Sequence, residues 1–234
     1  DGDGTLTRRD PSKVIYENGT YYVWYTYRHT SVESVGMARA SEANDTIPSA
    51  DWDLADIWYA TSTDGITWKE QGPAIKRPEK PALGWRSVTT TDILKWKGKY
   101  YLYYMGNTGD GKAMKGFNYS HRNNQRIGVA VADNPSGPWK RFDTPVIDVS
   151  PNDEAWDALM VSNPSILQKP DGEFLMVYKA VAKKRPLPGG GPVVHLVATS
   201  SSPTGPFVKH PEPVFTAKGE KFPAEDPFIW FQND

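Results

Sequence analysis

The chain contains no cysteine. That excludes disulfides, thiolate nucleophiles and thiolate metal sites, and leaves the redox compartment open. Long apolar runs are also missing: no stretch approaches the ~18 residues that a membrane-spanning helix needs. Net charge is nearly absent, with 27 Lys and Arg against 28 Asp and Glu. There is therefore no electrostatic case for a nucleic-acid partner or an anionic membrane surface. No secretory leader is evident. The opening Asp1-Gly2-Asp3-Gly4 reads as an already trimmed start, and a periplasmic or secreted bacterial protein is expected.

What the chain does hold is aromatic residues and turn formers. Its 234 residues include 9 Trp, 12 Tyr, 20 Gly and 20 Pro. This suits short strands joined by tight loops, with enough apolar residues for a core and a single domain over 1–234. Exposed Trp and Tyr also suit the apolar faces of sugars, although most aromatics of such a chain fill its core.

A unit recurs. Asp10-Pro11-Ser12-Lys13-Val14-Ile15 leads to Asn18-Gly19 and then to Tyr21-Tyr22-Val23-Trp24-Tyr25. Asn-Gly between two aromatic and β-branched runs is a strong hairpin signal. Counting nine residues back from a hairpin glycine, Asp10 matches Thr89 (Gly98) and Asn163 (Gly172), and Asp226-Pro227 opens a fourth copy. A second motif closes each unit: Ala60-Thr61-Ser62 to Trp68, Ala130-Val131-Ala132 to Trp139, and Ala198-Thr199-Ser200 to Phe207. Each unit is thus two hairpins, or four antiparallel strands. The polar loop from Arg28 to Asp56 accommodates a short helix around residues 34–43.

Four-stranded units in radial repetition predict an all-β fold, a β-propeller of antiparallel blades. Copies start at positions 10, 89, 163 and 226, so the chain is expected to stop early in blade four. In a propeller the first strand of each blade lines the central channel. The residues that open those strands, Asp10, Thr89, Asn163 and the Glu225-Asp226 pair, then converge at one end. Two carboxylates across a sugar-sized gap are what glycoside hydrolysis requires, one as base on water and one as acid on the leaving oxygen. Arg9, Arg86 and Lys179 begin or end channel strands and are candidates to hold sugar hydroxyls or a carboxylate, with His195 as a further candidate on the substrate side. Taken singly, Asp-Pro and Asn-Pro also serve merely to cap a turn. No histidine spacing marks a metal site.

Arg9-Asp10-Pro11-Ser12, Ile57-Trp58-Tyr59-Ala60-Thr61-Ser62 with Asp64-Gly65-Ile66-Thr67-Trp68, Gly72-Pro73-Ala74-Ile75 and Arg86-Ser87-Val88 resemble glycoside hydrolase family 117. The likeness is densest over residues 8–105. More broadly the chain resembles family 43 and its five-bladed clan. The resemblance implies five blades, with Asp10 as the base and Glu225 as the acid. It also implies a charge-tuning aspartate in blade three, where this chain has Asn163. Asp157, six residues earlier, is the candidate to supply that charge instead. Ala224 stands where agar-type members have a histidine. The implied activity is exo-acting, inverting hydrolysis of plant or algal oligosaccharides with 3,6-anhydro-L-galactose-, arabinose- or xylose-type ends. No cofactor is required, and a structural calcium or sodium ion in the central channel and a homodimer are options. Two alternatives stay open: a non-catalytic carbohydrate-binding propeller, and a family 130-like phosphorylase using Arg8, Arg9 and Arg86 to hold phosphate.

Overall fold

A computed structural model describes residues 2–109, 119–220 and 225–232. Three antiparallel sheets follow one another along the chain. The first contains β1 (Leu6–Arg9), β2 (Ile15–Glu17), β3 (Thr20–His29), β4 (Asp56–Ser62) and β5 (Lys69–Ile75). The second contains β6 (Ser87–Trp96), β7 (Lys99–Asn107), β8 (Gln125–Ala132) and β9 (Lys140–Arg141), with a short helix α1 (Tyr119–Asn123) before β8. The third contains β10 (Met160–Gln168), β11 (Phe174–Val181), β12 (Val193–Ser200) and β13 (Val208–Lys209). Both hairpin motifs of every repeat thus become adjacent strand pairs. The polar loop after β3 carries a 3₁₀ turn over Met37–Glu42.

Local chemistry sets the hairpin turns. Glu17 faces Thr20 across Asn18 (φ 48°) and Gly19 (φ 83°). Two consecutive positive φ values make the two-residue turn whose twist matches the strands. Trp96 and Lys99 repeat this across Lys97 (φ 48°) and Gly98 (φ 74°).

The first strand of each sheet is broken at one equivalent point. In sheet one Asp10 separates β1 from β2, and both pair with β3. In sheet two the register of β6 against β7 slips between Thr89 and Thr91. In sheet three β10 slips against β11 between Ser162 and Ser165. The residue at each break has a left-handed backbone: Asp10 (φ 51°), Thr90 (φ 42°) and Asn163 (φ 48°), with Asp226 (φ 46°) in the segment that follows. Asp and Asn tolerate this region, whereas a β-branched Thr is strained there. The member of the set in sheet two is therefore Thr90 and not Thr89. Counting back from Gly98 fails by one because the strand between bend and turn is one residue shorter in that sheet.

The sheets pack side by side, with β6 against both β3 and β10. One core lies between sheets one and two, built on Trp24, Ile57, Ile93 and Leu102. A second joins sheets two and three through Tyr103, Val129, Ile166 and Tyr178. β7, in the middle sheet, is buried from Tyr100 to Asn107, as expected for a strand covered on both faces. The aromatic residue of the closing motif reaches back across the seam: Trp139 meets Trp24 edge to face at 5.9 Å. No helix among the described residues is long and apolar enough to cross a membrane.

Candidate functional site

The four left-handed bends converge on two small cavities where the first strands meet. One, about 320 Å³, is walled by the bend residues and their successors, Pro11, Thr91, Pro164 and Pro227. The other, about 160 Å³, has Asp10, Glu225 and Asp226 in its wall together with Arg9, Lys179 and Trp52. Residues far apart in sequence thus bring three carboxylates and two cations to one cavity.

The hydrogen bonds order these charges. Arg9 donates through Nε to Asp10 Oδ2 at 2.9 Å and through Nη1 to Asp51 Oδ2 at 2.9 Å. The Thr90 hydroxyl donates to the same Asp10 oxygen at 3.3 Å. Burial opposes the charge on Arg9, but Asp10 and Asp51 outweigh it and raise its pKa. Across the cavity Lys179 donates to Glu225 Oε1 at 2.7 Å, and the Asn163 amide donates to Asp226. Asp10 is mostly shielded, with its side chain 18% exposed, whereas Glu225 is 53% exposed.

Asp10, Glu225, Asn163, Arg9 and Lys179 therefore meet at one place. Thr89, Arg86 and Asp157 lie elsewhere. Thr89 is fully buried beside the bend, and the adjacent Thr90 takes the place expected of it. Arg86 is fully buried and turns to the loop between β3 and β4, where Nε and Nη2 grip both oxygens of Asp53 at 2.8 and 2.7 Å. A buried guanidinium needs such a partner, and Asp53 supplies it from that loop. Burial would raise the pKa of Asp53, but hydrogen bonds from His121 and Arg86 prevail and hold it well below the usual carboxylate range.

Asp157 is buried against the outermost strand of its sheet, where Lys209 donates to it at 2.6 Å. Its charge is matched there and it does not line the cavity. The third carboxylate of the cavity is Asp226. His195 lies opposite Lys179 in the β11–β12 register, near enough to Glu225 and Asp226 for them to act on its charge. Burial first, then the Lys179 charge, lowers its pKa. Ala224 lies outside the described residues.

Three contributors are not evident from the repeat. Trp52, Met105 and Gln125 line the cavity, and none belongs to the first strand of a sheet. The only sequence signal for Trp52 is a lone tryptophan in a polar loop. Its neighbours explain its position, because Asp51 is tied to Arg9 and Asp53 to Arg86.

A larger cavity of about 590 Å³ lies on the outer side of sheet one. It offers one carboxylate, Glu70, already held by Arg8 and Tyr25. It lacks a second carboxylate in its wall, so the smaller cavity is the better place for acid–base chemistry. Arg8 and Arg86 are also both absent from the lining of that smaller cavity, so among the described residues Arg9 is the arginine in its wall. Among the described residues, no group of three or more His, Cys, Asp or Glu side chains gathers as a metal centre.

Solved structures provide relatives. Over 94% of its length the chain is similar to Zg3597, a family 117 glycoside hydrolase produced by the marine bacterium Zobellia galactanivorans, with 46% identity and a TM-score of 0.79. It spans 60% of the length of that protein. An α-L-arabinofuranosidase from Lactobacillus brevis matches at 17% identity and TM-score 0.59, over 94% of this chain and 60% of its own. A family 43 β-xylosidase/α-arabinofuranosidase from a compost metagenome, solved with xylotriose in a calcium-free form, matches at 18% identity and TM-score 0.54, over 88% of this chain and 59% of its own. The two distant likenesses bear on the fold alone, and with it the three sheets are blades of a propeller. No family profile and no curated protein sequence matches the chain.

Proposed function

We infer that the chain belongs to glycoside hydrolase family 117 and contributes most of a five-bladed catalytic propeller that hydrolyses oligosaccharides by single displacement. The observation that carries the reading is the shared cavity: Asp10 and Glu225, from first-strand segments far apart in the chain, line it together. The 46% identity with a family 117 enzyme supports the reaction class.

In this mechanism ionised Asp10 takes a proton from water as the water oxygen attacks the anomeric carbon. Protonated Glu225 gives its proton to the glycosidic oxygen as that bond breaks, and the anomeric configuration inverts. Arg9 and Thr90 fix the Asp10 carboxylate through Oδ2, which leaves Oδ1 to take the proton. For Glu225 to donate, its contact with Lys179 has to give way to the substrate. A sugar hydroxyl is the natural acceptor for the released ammonium. Asn163 is neutral, and its amide holds Asp226 in place. The small cavity suits one terminal sugar ring and hence exo action, with Trp52 in its wall.

The test is a panel of red algal and plant oligosaccharides, read by reducing-sugar release, with proton magnetic resonance following the first anomer formed. Release of a terminal sugar with inversion is expected. Retention of configuration would refute the water-activating role of Asp10. Binding measured by calorimetry without any release over long incubation would refute hydrolysis itself.

A further inference from the structure

The axis where the first strands meet is where the resemblance allows a calcium or sodium ion. Lys13 reaches into that region from the segment between β1 and β2. Its ammonium donates to Asp92 Oδ2 on β6 at 2.5 Å and to the Ile166 carbonyl on β10 at 2.6 Å. The ring of Phe228 stands on a further side, its centroid 5.8 Å from Nζ. One side chain thus touches sheet two, sheet three and the segment after them, while its backbone belongs to sheet one.

Asp92 is the carboxylate that Lys13 meets, and it is already saturated; the other two carboxylates of the cavity walled by the bends, Asp10 and Asp226, are held by Arg9 and Asn163. The Asp92 side chain is 4% exposed. Oδ2 also accepts from the Ser165 hydroxyl at 3.1 Å and the Ile166 amide at 2.8 Å, and Oδ1 accepts from the Ile93 amide at 2.9 Å. A bound calcium takes ~6–8 oxygen ligands at ~2.3–2.6 Å. Around Lys13 the acceptors are one carboxylate and one carbonyl, and its ammonium occupies both. A metal ion would also lie against a fixed ammonium. These residues do not fit a resident cation.

We propose that the Lys13 ammonium is a tethered cation that replaces the axial metal ion and ties the sheets together. One buried negative charge is matched by one positive charge that cannot dissociate, because it is part of the chain. The fold is then indifferent to calcium, sodium and chelators.

The inference is independent of the reaction, because it is read from melting temperature and metal content. The wild-type protein is melted in chelator, in millimolar calcium chloride, and in sodium chloride against choline chloride at equal ionic strength. Its calcium content is measured by mass spectrometry after desalting. The same melting temperature throughout and substoichiometric calcium are expected. Stoichiometric calcium, or a melting temperature that falls in chelator, would overturn the proposal.

Lys13→Met should melt on the order of 10 °C lower, since Asp92 loses its partner, and should regain part of that loss in calcium or sodium chloride. Wild-type-like melting, or no gain from either salt, would count against it. Should Lys13→Met show no cooperative transition, Lys13→Arg keeps the charge and is expected to melt within a few degrees of wild type, again without a salt requirement. The wild-type measurements decide the question by themselves in that case.

Discussion

The Nε–H of Arg9 points at Oδ2 of Asp10 across 2.9 Å, and the same guanidinium is held from behind by Asp51. Neighbours in sequence are thus locked side chain to side chain, with the lock set by a loop that returns 42 residues later. Removing the base should cost far more than removing the lock. Asp10→Asn is expected to lower kcat by ~10²–10⁴-fold, the range for a general base, with an unchanged circular dichroism spectrum. Arg9→Met should lower kcat by about tenfold with less effect on KM, because orientation and not contact is lost. An Asp10→Asn enzyme that turns over at the wild-type rate would end the assignment.

Arg86 and Asp53 form a pair with both side chains fully buried. Breaking it strands a charge. Arg86→Met or Asp53→Asn alone should destabilise the protein by about 3–5 kcal/mol, seen as a lower denaturation midpoint. The double variant Arg86→Met/Asp53→Leu should recover a large share of that loss. If the double variant is as unstable as the sum of the singles, the two residues are not a coupled pair.

Trp52 lines the cavity from the loop that Asp51 and Asp53 anchor. Trp52→Ala removes a large apolar surface from that wall and should raise KM several-fold. Steady-state kinetics on the best oligosaccharide of the panel measures it. An unaltered KM would remove Trp52 from the binding surface.

His195 makes stability sensitive to mild acid. Burial and the Lys179 charge lower its pKa in the folded state, against weaker opposite effects from Asp226 and Glu225. In the unfolded chain it titrates near ~6.5. As pH falls through that value, the unfolded chain takes up a proton that the folded protein refuses, so stability present above it is lost on acidification. The lead of the wild type over His195→Phe in melting temperature should therefore shrink between about pH 7 and 5. Parallel melting curves would show that His195 does not titrate differently on folding.

Much of the fold was legible because its signals are local. Asn18-Gly19 sets a turn by backbone preference alone, and Asp10-Pro11, Asn163-Pro164 and Asp226-Pro227 mark bends by the same means. Thr90 was not legible. Nothing in Thr89-Thr90-Thr91 says which threonine bends, and the glycine count points one residue early. Only the pairing of β6 with β7 places the slip.

The candidate site divides in the same way. Asp10 and Glu225 belong to the repeat, so their convergence follows from radial geometry. Arg86 and Asp157 are also near strand starts and carry the right chemistry, yet each turns away to a buried partner, Asp53 and Lys209. The sequence by itself determined the repeat, the hairpins and three of the four bend residues, Asp10, Asn163 and Asp226, because these rest on backbone preference and side-chain period. Which charged residues face the cavity and which are consumed in ion pairs was decided only by the tertiary structure. A long charged side chain goes wherever its counter-charge is best shielded from water, and that partner can be any distance away in the chain.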